Sequence, residues 1–260
     1  TIVSQGTEAA PVVFTSYSDD SVAGDSNGDG ENTAPQPGDW SGIFLNGTQT
    51  ENLFEHTVLR YTGSTSQSTR GLHLTGANVT VRNSVLEQNS VHAIFISDSS
   101  PLIESNLIRD NNVGISIQGE SAPQILSNRF ERNNRAGEVN SPTGGATFSG
   151  NTSTGDGFNA FVLSGTFVGD TTLTTDLAFA ISGNMIVTPE STLTLGPGTV
   201  VKGINTVSRL EVRGTIVSQG TEAAPVVFTS YSDDSVAGDS NGDGENTAPQ
   251  PGDWSGIFLN

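Results

Sequence analysis

The 260 residues carry a formal charge of −18, with 28 Asp and Glu against 10 Lys and Arg, 31 glycines and no cysteine. That balance repels nucleic-acid phosphates and anionic lipid headgroups, so neither is an expected partner, and it suits divalent cations instead. Disulfides are excluded, and no apolar run is long enough to insert into a membrane.

Gly, Ser, Thr and Asn are abundant, and Val, Ile and Leu fall in short runs between turn signals, which is an all-β composition. Residues 1–17 predict two short strands, TIVSQ and VVFTSY, with a corner from Gly6 to Pro11. Over residues 18–39 hydrophobic side chains nearly vanish in favour of Asp, Gly, Asn and Pro, which predicts a long excursion from the body. Strand signal resumes at Trp40 with WSGIFLN.

A shorter period then governs the chain. The runs beginning at Gly42, Gly71, Ala93 and Gly114 each place apolar residues at alternate positions, and after the first they recur about every 22 residues. Phe54, Val81, Ile103, Ile125 and Phe148 form one apolar column, and Leu59, Leu86, Ile108 and Phe130 form another. Polar columns keep step with them: Thr57, Ser84, Asn106, Asn128 and Asn151, and then Asn89, Asn111 and Asn133. Coils of about 22 residues stacked at the parallel strand spacing of about 4.8 Å bring equivalent residues into register. The Asn columns then predict a structural ladder of amides bonded from coil to coil.

Residues 134–156 turn polar and Gly-rich again, with Phe148 and Asn151 keeping the columns, and strand signals return from Phe158 to Val212. Residues 215–260 then repeat residues 1–46 letter for letter, with no Pro-rich or Ser-rich hinge between. This divides the chain into one unit, 1–214, and the start of an identical unit, 215–260. Together with the missing initiator Met, it predicts a window on a longer array whose coils run on without a break from unit to unit, each unit rising on the order of 45 Å or somewhat less.

The segments VRNSVLEQN, IESNLIRDN and ILSNRFERN, each followed by an Ile- or Val-rich strand, resemble coils of right-handed parallel β-helix proteins of the pectin-lyase-like kind. The text from Leu193 to Ser230 resembles the opening coils of β-helix modules in large bacterial surface and secreted proteins. The resemblance implies a right-handed parallel β-helix, and an extracellular or cell-surface setting in a bacterium. It leaves activity open, because enzymes, adhesins and fibres share this scaffold.

The strongest chemical motif is Asp25-Ser-Asn27-Gly-Asp29-Gly-Glu31, copied as Asp239, Asn241, Asp243 and Glu245. Oxygen ligands at alternate positions ending on Gly match the start of an EF-hand-type loop and predict calcium as cofactor. Gln36 stands where that loop would place its bidentate Glu, so closure falls to Asp19, Asp20 or Asp39. The alternative is a solvated acidic turn. Arg60, Glu87, Arg109 and Glu131 alternate in sign along one column, which reads as structural ion pairing, as does Asp110 with Arg132.

No catalytic residue is assigned. A pectate-lyase-type enzyme implies clustered calcium-binding Asp residues beside a basic group, and none assembles around Lys202 or Arg70. Nothing in the text selects a glycosidase pair such as Glu87 and Glu104. His56, His73 and His92 do not form a metal-ligand set, and His73 is expected to be an exposed imidazole. Thus the sequence predicts a non-enzymatic, calcium-stabilised structural unit of a fibre or adhesin shaft, whose partner is itself, head to tail, with lateral association of rods left open. A carbohydrate-binding adhesin is the alternative, and it would need an exposed aromatic platform from Trp40, Tyr17 and Tyr61. A polysaccharide lyase or hydrolase ranks behind it.

Overall fold

A computed structural model describes residues 1–48, 51–63, 70–141, 145–174 and 177–260. Among them no helix occurs, and the named strands pair in parallel throughout. The coils wind as a right-handed parallel β-helix. Each full coil lays one strand on each of three faces. One face is a continuous nine-stranded sheet running from Ile43–Asn46 to Val227–Ser230. The other two are six-stranded sheets over the first part of the chain, succeeded by a four-stranded and a three-stranded sheet.

The register is the one the columns predict. Phe54 pairs with Val81, Val81 with Ile103, Ile103 with Ile125 and Ile125 with Phe148. Leu59, Leu86, Ile108 and Phe130 pair in the same way on the next face. On the long sheet Ile43, Leu72, Ile94 and Ile115 stack in turn. All of these except the partly buried terminal Ile43 have almost no exposed surface, and they belong to one apolar cluster that fills the bore of the helix. The column on the long sheet continues through Gly137 to Phe161 and Phe179. A Cβ at Gly137 would lie 2.6 Å from the Phe161 ring, so the glycine makes the space that the ring fills. Phe161 in turn meets Phe130 at 5.8 Å and Phe148 at 4.6 Å between ring centroids, an aromatic patch that fills the bore here.

The corners follow one rule. Asn83, Ser105 and Ser127 adopt left-handed φ of 50°, 55° and 54°, and each is followed by an inward polar residue, Ser84, Asn106 or Asn128. Gln88, Asp110 and Arg132 do the same, at 54°, 55° and 52°, before Asn89, Asn111 and Asn133. The left-handed residue turns the chain, and its strain is offset by what the next residue bonds. Asn128 Oδ1 accepts from the Asn106 backbone N–H at 3.1 Å and from the Asn106 amide at 3.0 Å, while the Asn128 amide donates to Ile103 O at 2.8 Å and to Asn151 Oδ1 at 3.1 Å. Asn89, Asn111 and Asn133 repeat the pattern. The first ladder begins at Thr57, as its column predicts, and the second runs further than the Asn pattern. Thr57 donates its N–H to Ser84 Oγ, Thr62 bonds Asn89 Oδ1, and Asp156 Oδ1 accepts from Asn133.

The strands of residues 215–260 stack directly on the coils before them. Thr215–Ser218 pairs with Thr192–Leu195, Val227–Ser230 with Val200–Gly203, and Gly256–Leu259 with Arg209–Val212. Identical text nevertheless occupies different faces. Val12–Phe14 lies on a six-stranded sheet and Ile43–Asn46 on the long sheet, whereas in the copy Val227–Ser230 takes the long sheet and Gly256–Leu259 the next face round. The copies are therefore separated by eight coils and one further strand, about 40 Å along the axis at about 4.8 Å per coil.

Because Asn128 serves both neighbouring coils, its removal leaves the buried N–H of Asn106 and the carbonyl of Ile103 without partners. Asn128→Ala is expected to lower the unfolding free energy by about 3 kcal/mol, read from urea midpoints at unchanged slope.

Candidate functional site

The acidic excursion folds around Asp25. Its carboxylate accepts backbone N–H groups from Gly28 at 2.7 Å, Asp29 at 3.1 Å and Gly30 at 2.9 Å, and Gly28 and Gly30 take the left-handed φ of 73° and 70° that this wrapping needs. Asn27 Oδ1 accepts from Asp29 N at 3.1 Å, and the Asn27 amide donates to Asp29 Oδ2 at 3.2 Å. The fold of the loop brings carboxylate oxygens of Asp20, Asp25 and Asp29 within 4.8 Å of one another. One buried oxygen each on Asp20 and Asp29, Oδ1 in both, has no hydrogen-bond partner. Desolvation and the neighbouring charges of Asp25, Asp29, Asp19 and Glu31 raise the Asp20 carboxyl above the ordinary range.

Asp234, Asp239 and Asp243 repeat the cluster, with Asp234 and Asp243 Oδ1 again unpartnered. Asp234 is likewise raised by desolvation and by Asp239 and Asp243, against the opposing pull of Lys202. The same local geometry in two different surroundings means that the loop's own sequence sets it. Three converging carboxylates, two of them with unbonded oxygens turned inward, form a donor set that fits a hard divalent cation.

Of the other residues assigned to this site, Asn27 and Asn241 sit within the loop, each bonded to the adjacent Asp. Glu31 and Glu245 are exposed and lie outside the carboxylate triad. Asp19 faces the body instead, with an ion pair to Arg60 at 2.5 Å and hydrogen bonds from Thr15 and Ser21. Burial pushes its carboxyl up, but the bonds from Ser21, Thr15 and Arg60 outweigh that and hold it below the usual range. Asp39 accepts from Ser16 Oγ at 2.5 Å and Gln36 N at 3.0 Å, closing the base of the loop. Asp20 is the closing residue that joins the triad.

A second cluster lies on the outer face of the long sheet, where sequence periodicity predicts solvent. His73 is half-buried, with its ring 5.0 Å from Phe44 and 4.8 Å from Phe95, so the expectation of an exposed imidazole is overturned by aromatic packing. Burial, with Arg70 and His92 nearby, lowers its pKa. Arg70 lies over the Phe95 ring at 3.8 Å. Farther along, Glu138 accepts from Ser116 Oγ at 2.9 Å, meets His92 Nε2 at 3.3 Å and pairs with Arg135 at 3.2 Å. The bond to His92 and that from Ser116 hold its pKa down to about 2 against burial. Such a carboxylate anchors its neighbours and is a poor proton donor or base near neutral pH. Sequence spacing gave one signal for this group: Phe95, Ser116 and Glu138 share a column.

The remaining candidates are dispersed. Glu87 is held between Arg60 at 3.4 Å and Arg109 at 2.6 Å, on a different sheet from Glu104. Glu131 keeps the predicted column opposite Arg109, but its carboxylate pairs with Arg129 and Arg132. Lys202 is fully buried. Of the three aromatic candidates, Tyr61 is buried, Trp40 donates its indole N–H to Arg60 O at 2.9 Å, and Tyr17 alone presents its ring to solvent.

A family model for right handed beta helix regions matches residues 26–175, and one for pectate-lyase like beta helix domains matches residues 165–243. Neither the curated proteins nor the solved structures contain a match to the chain.

Glu138 generates a pH prediction. Its carboxyl lies lower in the fold than in the unfolded chain, so its contribution is complete above about pH 4.5 and is lost as pH falls toward 2. The urea-unfolding gap between wild type and Glu138→Gln is expected to be about 2 kcal/mol at pH 6 and to narrow steadily below pH 4.5.

Proposed function

Because the chain belongs to the right-handed β-helix family, we propose that it is the structural unit of a long extracellular or cell-surface rod, a fibre or adhesin shaft, whose acidic loops bind calcium. The observation that carries this reading is the junction between the copies: the strands of residues 215–260 pair with those of residues 192–212 on all three faces, with no linker between. A parallel coil that pairs on both edges leaves open strand edges only at the ends of a stack, so adding units lengthens the rod without adding edges.

Calcium is assigned to Asp20, Asp25 and Asp29, with Asn27 beside them, and to Asp234, Asp239 and Asp243 with Asn241. A bound cation would offset both the desolvation and the neighbouring negative charges that raise Asp20, and would tie the loop to its base. What supports a structural over a catalytic reading is the disposition of the acid–base groups: Glu87 and Glu138 are each tied to cations.

Calcium at about 100 times its Kd should stabilise the chain by about 2.7 kcal/mol per site. Asp25→Asn with Asp29→Asn should lower stability in calcium and change little in chelator, whereas equal losses in both would refute the metal assignment. For the rod, electron microscopy of chains carrying several units should show unbranched filaments with an axial repeat near 40 Å. Separate particles on flexible strings would overturn it.

A further inference from the structure

The two copies of one loop have identical sequences and different surroundings. In the second copy Tyr231 is 7% exposed and stacks on Phe158 at 5.4 Å, with its hydroxyl donating to Ser240 O. Asn159 donates its backbone N–H to Ser240 O at 2.8 Å and its amide to Asp239 O at 2.7 Å. Lys202, the single lysine of the chain, donates to Asp233 O at 2.7 Å and Gly238 O at 3.2 Å, beneath the carboxylates of Asp233, Asp234 and Asp239. Trp254 lies against Gly203, where a Cβ would come within 2.3 Å of the indole side chain. The loop is thus seated on coils lying 30 to 80 residues before it.

In the first copy the same positions are open. Tyr17 is 71% exposed, Ser26 is exposed where Ser240 is fully buried, and both line an open groove of about 470 Å³ with Phe14, Val22 and Trp40. That copy displays instead the opposite flank of the loop, where Asp19 pairs with Arg60 and Trp40 bonds Arg60 O in the coil that follows. Each copy shows one half of a single junction.

We propose that the groove lined by Tyr17, Val22 and Ser26 is the docking surface for a second copy of this chain's own repeat, seated as Phe158, Asn159 and Lys202 seat Tyr231 and Ser240 here. This rests on the stacked-unit reading above and adds its locking contact. The acidic loop is clamped between two cations, Lys202 of the unit before it and Arg60 of its own.

The test compares this chain with one in which residues 1–214 are duplicated ahead of Thr1. Tyrosine nitration by tetranitromethane reads the docking surface, and electron microscopy of the same samples reads the rod. In the parent chain Tyr17 should nitrate at least tenfold faster than Tyr231. In the extended chain the tyrosine at the new internal junction should be protected as Tyr231 is, within a particle lengthened by about 40 Å. A lengthened rod whose internal tyrosine reacts as fast as Tyr17 would overturn the docking surface and leave the rod intact, while two particles on a flexible string would overturn the rod itself. Phe158→Ala and Lys202→Met in the parent chain should each raise Tyr231 reactivity toward that of Tyr17. If both variants fold, as read by unchanged circular dichroism, and Tyr231 stays protected, the clamp is refuted.

Discussion

The hydrogen bond that everything else depends on is the one made at the corners by an inward side chain to the backbone of the coil before it. A chain that turns three times per coil must point some backbone N–H groups into an apolar bore, where an unpaired donor costs about 1–3 kcal/mol. Asn106, Asn128 and Asn151 answer that cost in sequence, each oxygen taking the N–H of the coil before it, and those of Asn128 and Asn151 taking its side-chain amide as well. The ladder also fixes register. A coil displaced by one residue would leave two buried donors orphaned as well as turning its apolar side chains outward. The columns of Ile, Leu and Phe are aligned by polar groups, and their burial then supplies the bulk of the stability.

How much of this could be read from the letters depends on whether a feature keeps the period. The columns from Phe54 to Phe148 and from Leu59 to Phe130 were legible because inward residues in stacked coils recur at fixed spacing. The Asn ladder was legible for the same reason. The second ladder's ends at Thr62 and Asp156 were not, since other side chains there take the amide's role. The outer face of the long sheet was misread. Alternation places His73, Phe95 and Ser116 on the outward side, but His73 packs on Phe95, Ser116 bonds Glu138, and Phe95 and Ser116 are buried. In the acidic loop, the choice among Asp19, Asp20 and Asp39 lay beyond spacing, because Arg60 claims Asp19 from a coil 41 residues away.

Charge is distributed in keeping with this architecture. The cations are few, and those at Arg60, Arg109, Arg132, Arg135 and Arg213 each meet a carboxylate on the body of the helix. Most of the surplus of acid is left to the excursions, where Asp20, Asp25 and Asp29 converge. The two excursions hold 12 of the 28 acidic residues and none of the 10 basic ones, so they carry −12 of the net charge of −18 and the body the remaining −6.

The displacement of identical text by one face between the two copies has a geometric consequence for any longer stack. If successive units join as these do, each loop leaves the shaft about a third of a turn from the last, and only every third unit presents its projection in the same direction. The loops then climb the shaft as a staircase with a pitch of about 120 Å. Two shafts lying side by side could touch through loops only at that interval. In such a stack the acidic loops of one shaft would meet those of a neighbour at sparse, regular intervals.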